Sequence, residues 1–129
     1  MNNHKINLAD IFSKVENYWK YSIEEFKVWL KNIVPENGWK DIKKLYNIDD
    51  FSTLHIKNPE IIKFLFDLGL SPKFVFINAI ETIEDFKYDF EYEYRKEILS
   101  EQNEIVNVCK KYMSSKDIEN ALKNKDKYH

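Results

Sequence analysis

A chain of 129 residues with 43 % hydrophobic and 16 % aromatic side chains can bury one core and is too apolar to be intrinsically disordered. Its one cysteine, Cys109, excludes an internal disulfide, and its two isolated glycines, Gly38 and Gly69, exclude a glycine-rich phosphate loop. Net charge is −2, and no apolar run approaches the ~18 residues needed to span a bilayer.

Residues 1–6 lack the apolar core of a secretory signal, so a reducing, cytoplasmic setting is expected. These residues are expected to fray, as are 124–129, leaving a single domain. From Leu8, the positions Leu8, Ile11, Phe12, Val15, Tyr18 and Trp19 recur at helical spacing and predict a helix over about 8–20. Ser22 and Glu25 have the capping-box spacing that opens a second helix, with Phe26, Trp29, Leu30 and Ile33 inward. Pro35 and Asn37-Gly38 close it. A short helix over 39–47 follows, with Trp39, Ile42, Leu45 and Tyr46 facing the core. The piece 49–57 reads as either an extended loop or a short strand.

Asn58-Pro59 is a helix start, cap then proline. Ile61, Ile62, Phe64, Leu65 and Leu68 fill its apolar face, and Gly69 stands where a left-handed cap belongs. Ser71-Pro72 repeats the start signal. Thr53-Leu-His55 and the Asp-Leu-Gly-Leu-Ser-Pro ending of this segment resemble an ankyrin repeat over about twenty residues. The proline of that signature is missing and no second copy exists, so residues 53–72 read as a helical hairpin that imitates one repeat.

Beyond Pro72, residues Phe76, Ala79, Ile80, Ile83, Phe86, Phe90, Tyr94 and Ile98 fall on one stripe at ~100° per residue. Residues 86–94 also alternate ring and charge, which is the strand period. The stripe favours a long helix near 72–99. A single helix to residue 113 would run about 63 Å, so a break is expected near Ser100–Asn103. A last helix over 116–123 follows Ser114-Ser115. The fold expectation is all-α: a compact bundle of six or seven helices around the long helix near 72–99. The alternative is α+β, with strands near 51–56, 73–78 and 86–94.

Residues 81–101 hold eight acids and three bases, net −5, while the remainder is net +3. Within this stretch Asp85, Asp89, Glu93, Glu97 and Glu101 recur every four residues. Such a row drifts ~40° per step on a straight helix, so it spirals and does not converge on a metal. The histidines His4, His55 and His129 have no orienting partner in the pattern, and Cys109 lies on an apolar stripe. No catalytic residue, metal site or cofactor is therefore expected, and no enzyme.

Tyr88 and Tyr92 lie opposite the predicted core stripe, with Glu84 and Glu91 on one side and Asp85 and Asp89 on the other. Rings supply contact area at low entropic cost, and carboxylates steer a cationic partner. Glu84, Asp85, Tyr88, Asp89, Glu91 and Tyr92 are thus the candidate partner-binding residues. The competing reading packs this helix on both sides. Lys110, Lys111, Lys116, Lys123, Lys125 and Lys127 make the C-terminal part basic. With Arg95 the only arginine, direct nucleic-acid contact is a secondary expectation.

In size and in its acidic, tyrosine-bearing patch over Asp85–Glu93, the chain resembles small bacterial immunity proteins of the colicin or contact-dependent-inhibition kind. That resemblance implies an inhibitor that neutralises a basic toxin or nuclease, with no membrane partner. A phage-encoded inhibitor of a host nuclease would carry the same features. A regulator that contacts nucleic acid through the C-terminal lysines is the remaining alternative.

Overall fold

The computed structural model describes residues 5–54, 56–89 and 93–124. Among these the chain is mostly α-helical, with seven α-helices and one two-residue parallel strand pair. It divides into two compact units, residues 1–70 and 71–129.

In the first unit, α1 (Leu8–Ser13) opens with the Asn7 side chain accepting from the Asp10 amide. It is shorter than the helix over 8–20 that the periodicity predicts. Asn17 adopts a left-handed conformation, φ 59°, which a short polar side chain tolerates better than an apolar one. The chain turns there, and residues 18–20 form only a 3-10 turn. Order begins earlier than expected at the N-terminus, because Ile6 and Asn7 pair in parallel with Tyr46 and Asn47.

Helix α2 (Ile23–Ile33) starts on the expected capping box. The Glu25 amide donates to Ser22 Oγ at 3.2 Å, and the Ser22 amide donates to Glu25 Oε1 at 3.1 Å. Two orphan donors are satisfied reciprocally. Trp39 donates its indole N–H to the Val34 carbonyl at 2.9 Å, closing the helix end through a side chain. The predicted helix over 39–47 is a 3-10 segment over 36–41 followed by α3 (Ile42–Leu45). Ile42 is buried as expected, but Leu45 is 68 % exposed, because so short a helix ends before its second turn can present Leu45 to the core. Residues 49–53 form a further 3-10 turn, so no strand forms there.

Helix α4 (Pro59–Asp67) starts at Asn58, whose side chain accepts from the Glu60 amide. Gly69 ends the segment at φ 113°. Lys43 closes over it, its Nζ donating to the Gly69 carbonyl at 2.9 Å.

The core of this unit is aromatic. Phe12 is fully buried, with ring centroids of Tyr18, Tyr21, Phe26 and Trp29 between 4.7 and 5.6 Å and that of Phe51 at 6.1 Å. The pairs with Tyr18, Tyr21 and Phe26 meet edge to face, the geometry the ring quadrupole favours, and those with Trp29 and Phe51 are tilted.

In the second unit, α5 (Pro72–Phe86) packs along α6 (Arg95–Lys111), and α7 (Ser115–Asn124) also lies against α5. The long helix expected near 72–99 is therefore two helices. Ser100, the expected break point, lies inside α6, and the segment 73–78 of the strand alternative lies inside α5. The break falls after Phe86, the last residue of α5, and before Arg95, the first of α6; of the described residues there, Tyr88, Asp89 and Tyr94 are poor helix formers. The wheel could not find it, because a stripe of rings reads the same through a helix and across an interruption. Phe76, Ala79, Ile105, Val106 and Cys109 are buried. Ile77, outside the predicted stripe, is buried too, whereas Tyr94, assigned to the stripe, is 52 % exposed. Tyr94 precedes α6 and caps it without a side-chain hydrogen bond, so the helical register that would have turned it inward does not extend to it. Helix α7 starts on reciprocal bonds between Ser114 and Asp117.

A candidate protein-binding tip

The sequence between α5 and α6 contains neither glycine nor proline, and Asp89 is its one described residue of a type that favours turns. The turn is held at its base. The Lys87 amide donates to the Ile83 carbonyl at 2.8 Å, ending α5, and the Asp89 amide reaches back to the Phe86 carbonyl at 3.2 Å. Arg95, the first residue of α6, donates from Nε to the carbonyls of Phe86 (3.1 Å) and Lys87 (3.2 Å), and from Nη2 to the Lys87 carbonyl at 2.7 Å. A guanidinium thus satisfies carbonyls that a helix end leaves without amide partners.

Four of the six candidate residues are placed by this turn. Glu84 and Asp85 are exposed on the last turn of α5, and Tyr88 and Asp89 are exposed just beyond it. Tyr88 is 72 % exposed, the highest value among the large apolar side chains described. Glu91 and Tyr92, the other two, lie outside the described residues, as does Phe90. The structure adds Glu93 and Tyr94, both exposed, so the described tip carries two tyrosines and four carboxylates. Lys87 sits among them with Nζ 5.4 Å from the centroid of the Tyr88 ring.

The placement of charge is informative. The C-terminal end of a helix carries partial negative charge, so cations there stabilise and anions destabilise. Helix α6 follows this rule, with Lys110 and Lys111 in its last turn. Helix α5 has no base in its last turn and carries Glu84 and Asp85 there. These acids oppose the helix dipole. The Arg95 guanidinium on the Phe86 and Lys87 carbonyls brings positive charge to the same helix end, and the exposed carboxylates are placed to present negative potential.

Among the described residues no group of three or more His, Cys, Asp or Glu is arranged to hold a metal ion. Of the acid row, Glu101 is half-buried on α6 while the others are exposed, so the row does not converge. Cys109 is fully buried, and burial pushes its thiol from 9.0 up to about 12, which makes it an inert thiol at neutral pH. His4, His55 and His129 lie outside the described residues. No described helix is long and apolar enough to cross a membrane.

The first unit has an open cleft of about 460 Å³ between α2 and α4, walled by Glu24, Lys27, Glu60, Lys63 and Asp67. Its charges alternate in sign, and Lys27 lies 5.3 Å over the Phe64 ring. Such a wall favours no single ligand charge.

What the sequence reading missed is Arg95. The one signal was that Arg95 is the only arginine; that it stands at a helix start, where a positive charge is disfavoured, is known only from the structure. Its role as a clamp was hidden because its acceptors are backbone carbonyls eight and nine residues away. No protein-family model, characterised protein or solved structure matches the chain.

Proposed function

We propose that this protein is a binding inhibitor of the immunity-protein kind, which neutralises a basic toxin or nuclease in the cytoplasm through the acidic tip at residues 84–94. The observation that carries this reading is Tyr88, an exposed ring between carboxylates that are placed against the local helix dipole. Residues kept where they cost stability are those expected to serve binding. In such a complex Tyr88 supplies a buried anchor. Glu84, Asp85 and Asp89 raise the rate of encounter with a cationic surface and imitate the phosphates that surface otherwise binds. The work is done by occlusion and requires no catalytic group.

The test uses the tagged full-length chain to capture proteins from the native cytoplasm at low salt. A basic protein should be retained and released by added duplex DNA. Retention should fail for the triple reversal Glu84→Lys, Asp85→Lys, Asp89→Lys and weaken at least tenfold for Tyr88→Ala, with circular dichroism unchanged. Equal retention by the reversed variant sinks the assignment of this surface.

A further inference from the structure

We infer that Arg95 is the positioning residue of the tip: its guanidinium, spanning the Phe86 and Lys87 carbonyls, orders Tyr88 and Asp89 before any partner arrives. The inference rests on the binding role proposed for the tip, but its geometry does not depend on that role. Three observations converge. Arg95 Nε and Nη2 make three hydrogen bonds to two consecutive carbonyls. The Phe86 carbonyl that accepts from Nε also accepts from the Asp89 amide, so the clamp and the turn that places Asp89 share one atom. The sequence of the turn has no glycine or proline, with Asp89 its described turn-favouring residue, and the Tyr94 side chain does not cap the first amides of α6. The side chain of Arg95 therefore does what turn residues do elsewhere.

The bonds need a planar fork with fixed donor directions. Lysine keeps the charge but offers a single ammonium that cannot span two carbonyls in the same way. Arg95→Lys thus separates geometry from electrostatics, since the net charge of the tip is the same in both proteins. Ordering a binding segment in advance removes part of the entropic cost of association. Loss of the clamp should act on affinity through that cost and leave the salt dependence of binding alone.

The experiment places a nitroxide label at Asp89→Cys. Cys109 is fully buried, so the introduced thiol is the one that reacts. In the Arg95 parent the label should report restricted motion. In Arg95→Lys and in Arg95→Ala its spectrum should sharpen to that of a mobile side chain, while helical circular dichroism is retained. Millimolar N-ethylguanidinium should restore the restricted spectrum of Arg95→Ala, and ethylammonium at the same concentration should not. Should Arg95→Ala fail to fold, Arg95→Lys alone decides. A label equally restricted in Arg95→Lys and the parent overturns the inference, as does restoration by ethylammonium to the same degree. In the capture assay Arg95→Lys should reduce retention roughly tenfold at every salt concentration. A label that loosens with no change in retention leaves the clamp standing and overturns the tip as the binding surface.

Discussion

Phe12 and Tyr88 are both aromatic residues in ring-rich stretches, and they end in opposite environments. Phe12 has no solvent exposure and touches rings from α2 and the turns at 18–21 and 49–53. Tyr88 is mostly in water, with a lysine over its ring. Rings are denser in the sequence around Tyr88, with Phe86, Tyr88, Phe90, Tyr92 and Tyr94 close together, than around Phe12, so density does not decide burial. What differs is convergence. Around Phe12, elements far apart in sequence bring their apolar faces to one point. Around Tyr88 the chain leaves α5, and its neighbours Lys87 and Asp89 are charged groups that must stay hydrated.

Phe12→Ala should break this contrast most severely. It removes a hub ring from a filled site, and chemical denaturation should record a loss of about 3–5 kcal/mol. A loss below 1 kcal/mol would mean the aromatic cluster is not the centre of that core.

Alkaline pH probes the second unit through Cys109. Its thiol is raised from 9.0 to about 12 by burial, so the folded state holds the proton more tightly than the unfolded state. The thiol therefore costs nothing below pH 9, and its contribution is lost as pH rises from 9 towards 12. The slope is about 1.4 kcal/mol per pH unit. Comparing urea midpoints of the parent and Cys109→Ala across that range isolates the thiol, and the variant should show the shallower decline. A native thiol that reacts with a disulfide reagent at pH 8 would contradict the same picture.

Ser22→Ala removes the α2 capping box and should cost about 1 kcal/mol, read as a drop in melting temperature. At the tip the sign should reverse. Asp85→Lys exchanges a destabilising charge for a stabilising one at the end of α5 and should raise stability by about 0.3–1 kcal/mol, while abolishing capture of a basic partner. Destabilisation by this change would mean that Asp85 serves the fold. The smallest effect belongs to Tyr88→Ala, which should stay within about 0.5 kcal/mol of the parent and weaken binding at least tenfold all the same.

Much of the secondary structure was legible in the residues. Ser22 with Glu25, Asn58 with Pro59, and Gly69 carry their meaning locally, because a cap or a left-handed turn involves atoms only a few positions apart. The all-α class followed from the same signals. Leu45, Asn17 and Tyr94 were not legible in this way. Leu45 was assigned inward by a period that its four-residue helix does not sustain, Asn17 took a left-handed turn that no glycine announced, and Tyr94 matched a stripe that stops at Phe86.

The sequence by itself determined the starts of α2, α4 and α5, the helical class, and the concentration of acid and tyrosine between residues 81 and 101. Only the tertiary structure decided where that stretch bends, and therefore that Glu84, Asp85, Tyr88 and Asp89 stand at a turn instead of along a helix face. The reason is physical. Periodicity reports which way a side chain faces while the backbone keeps its course, and it carries no information about where the course changes. At Phe86 and Lys87 that change is stabilised by the guanidinium of a residue beyond the turn, a contact that exists only once α6 has folded back on α5.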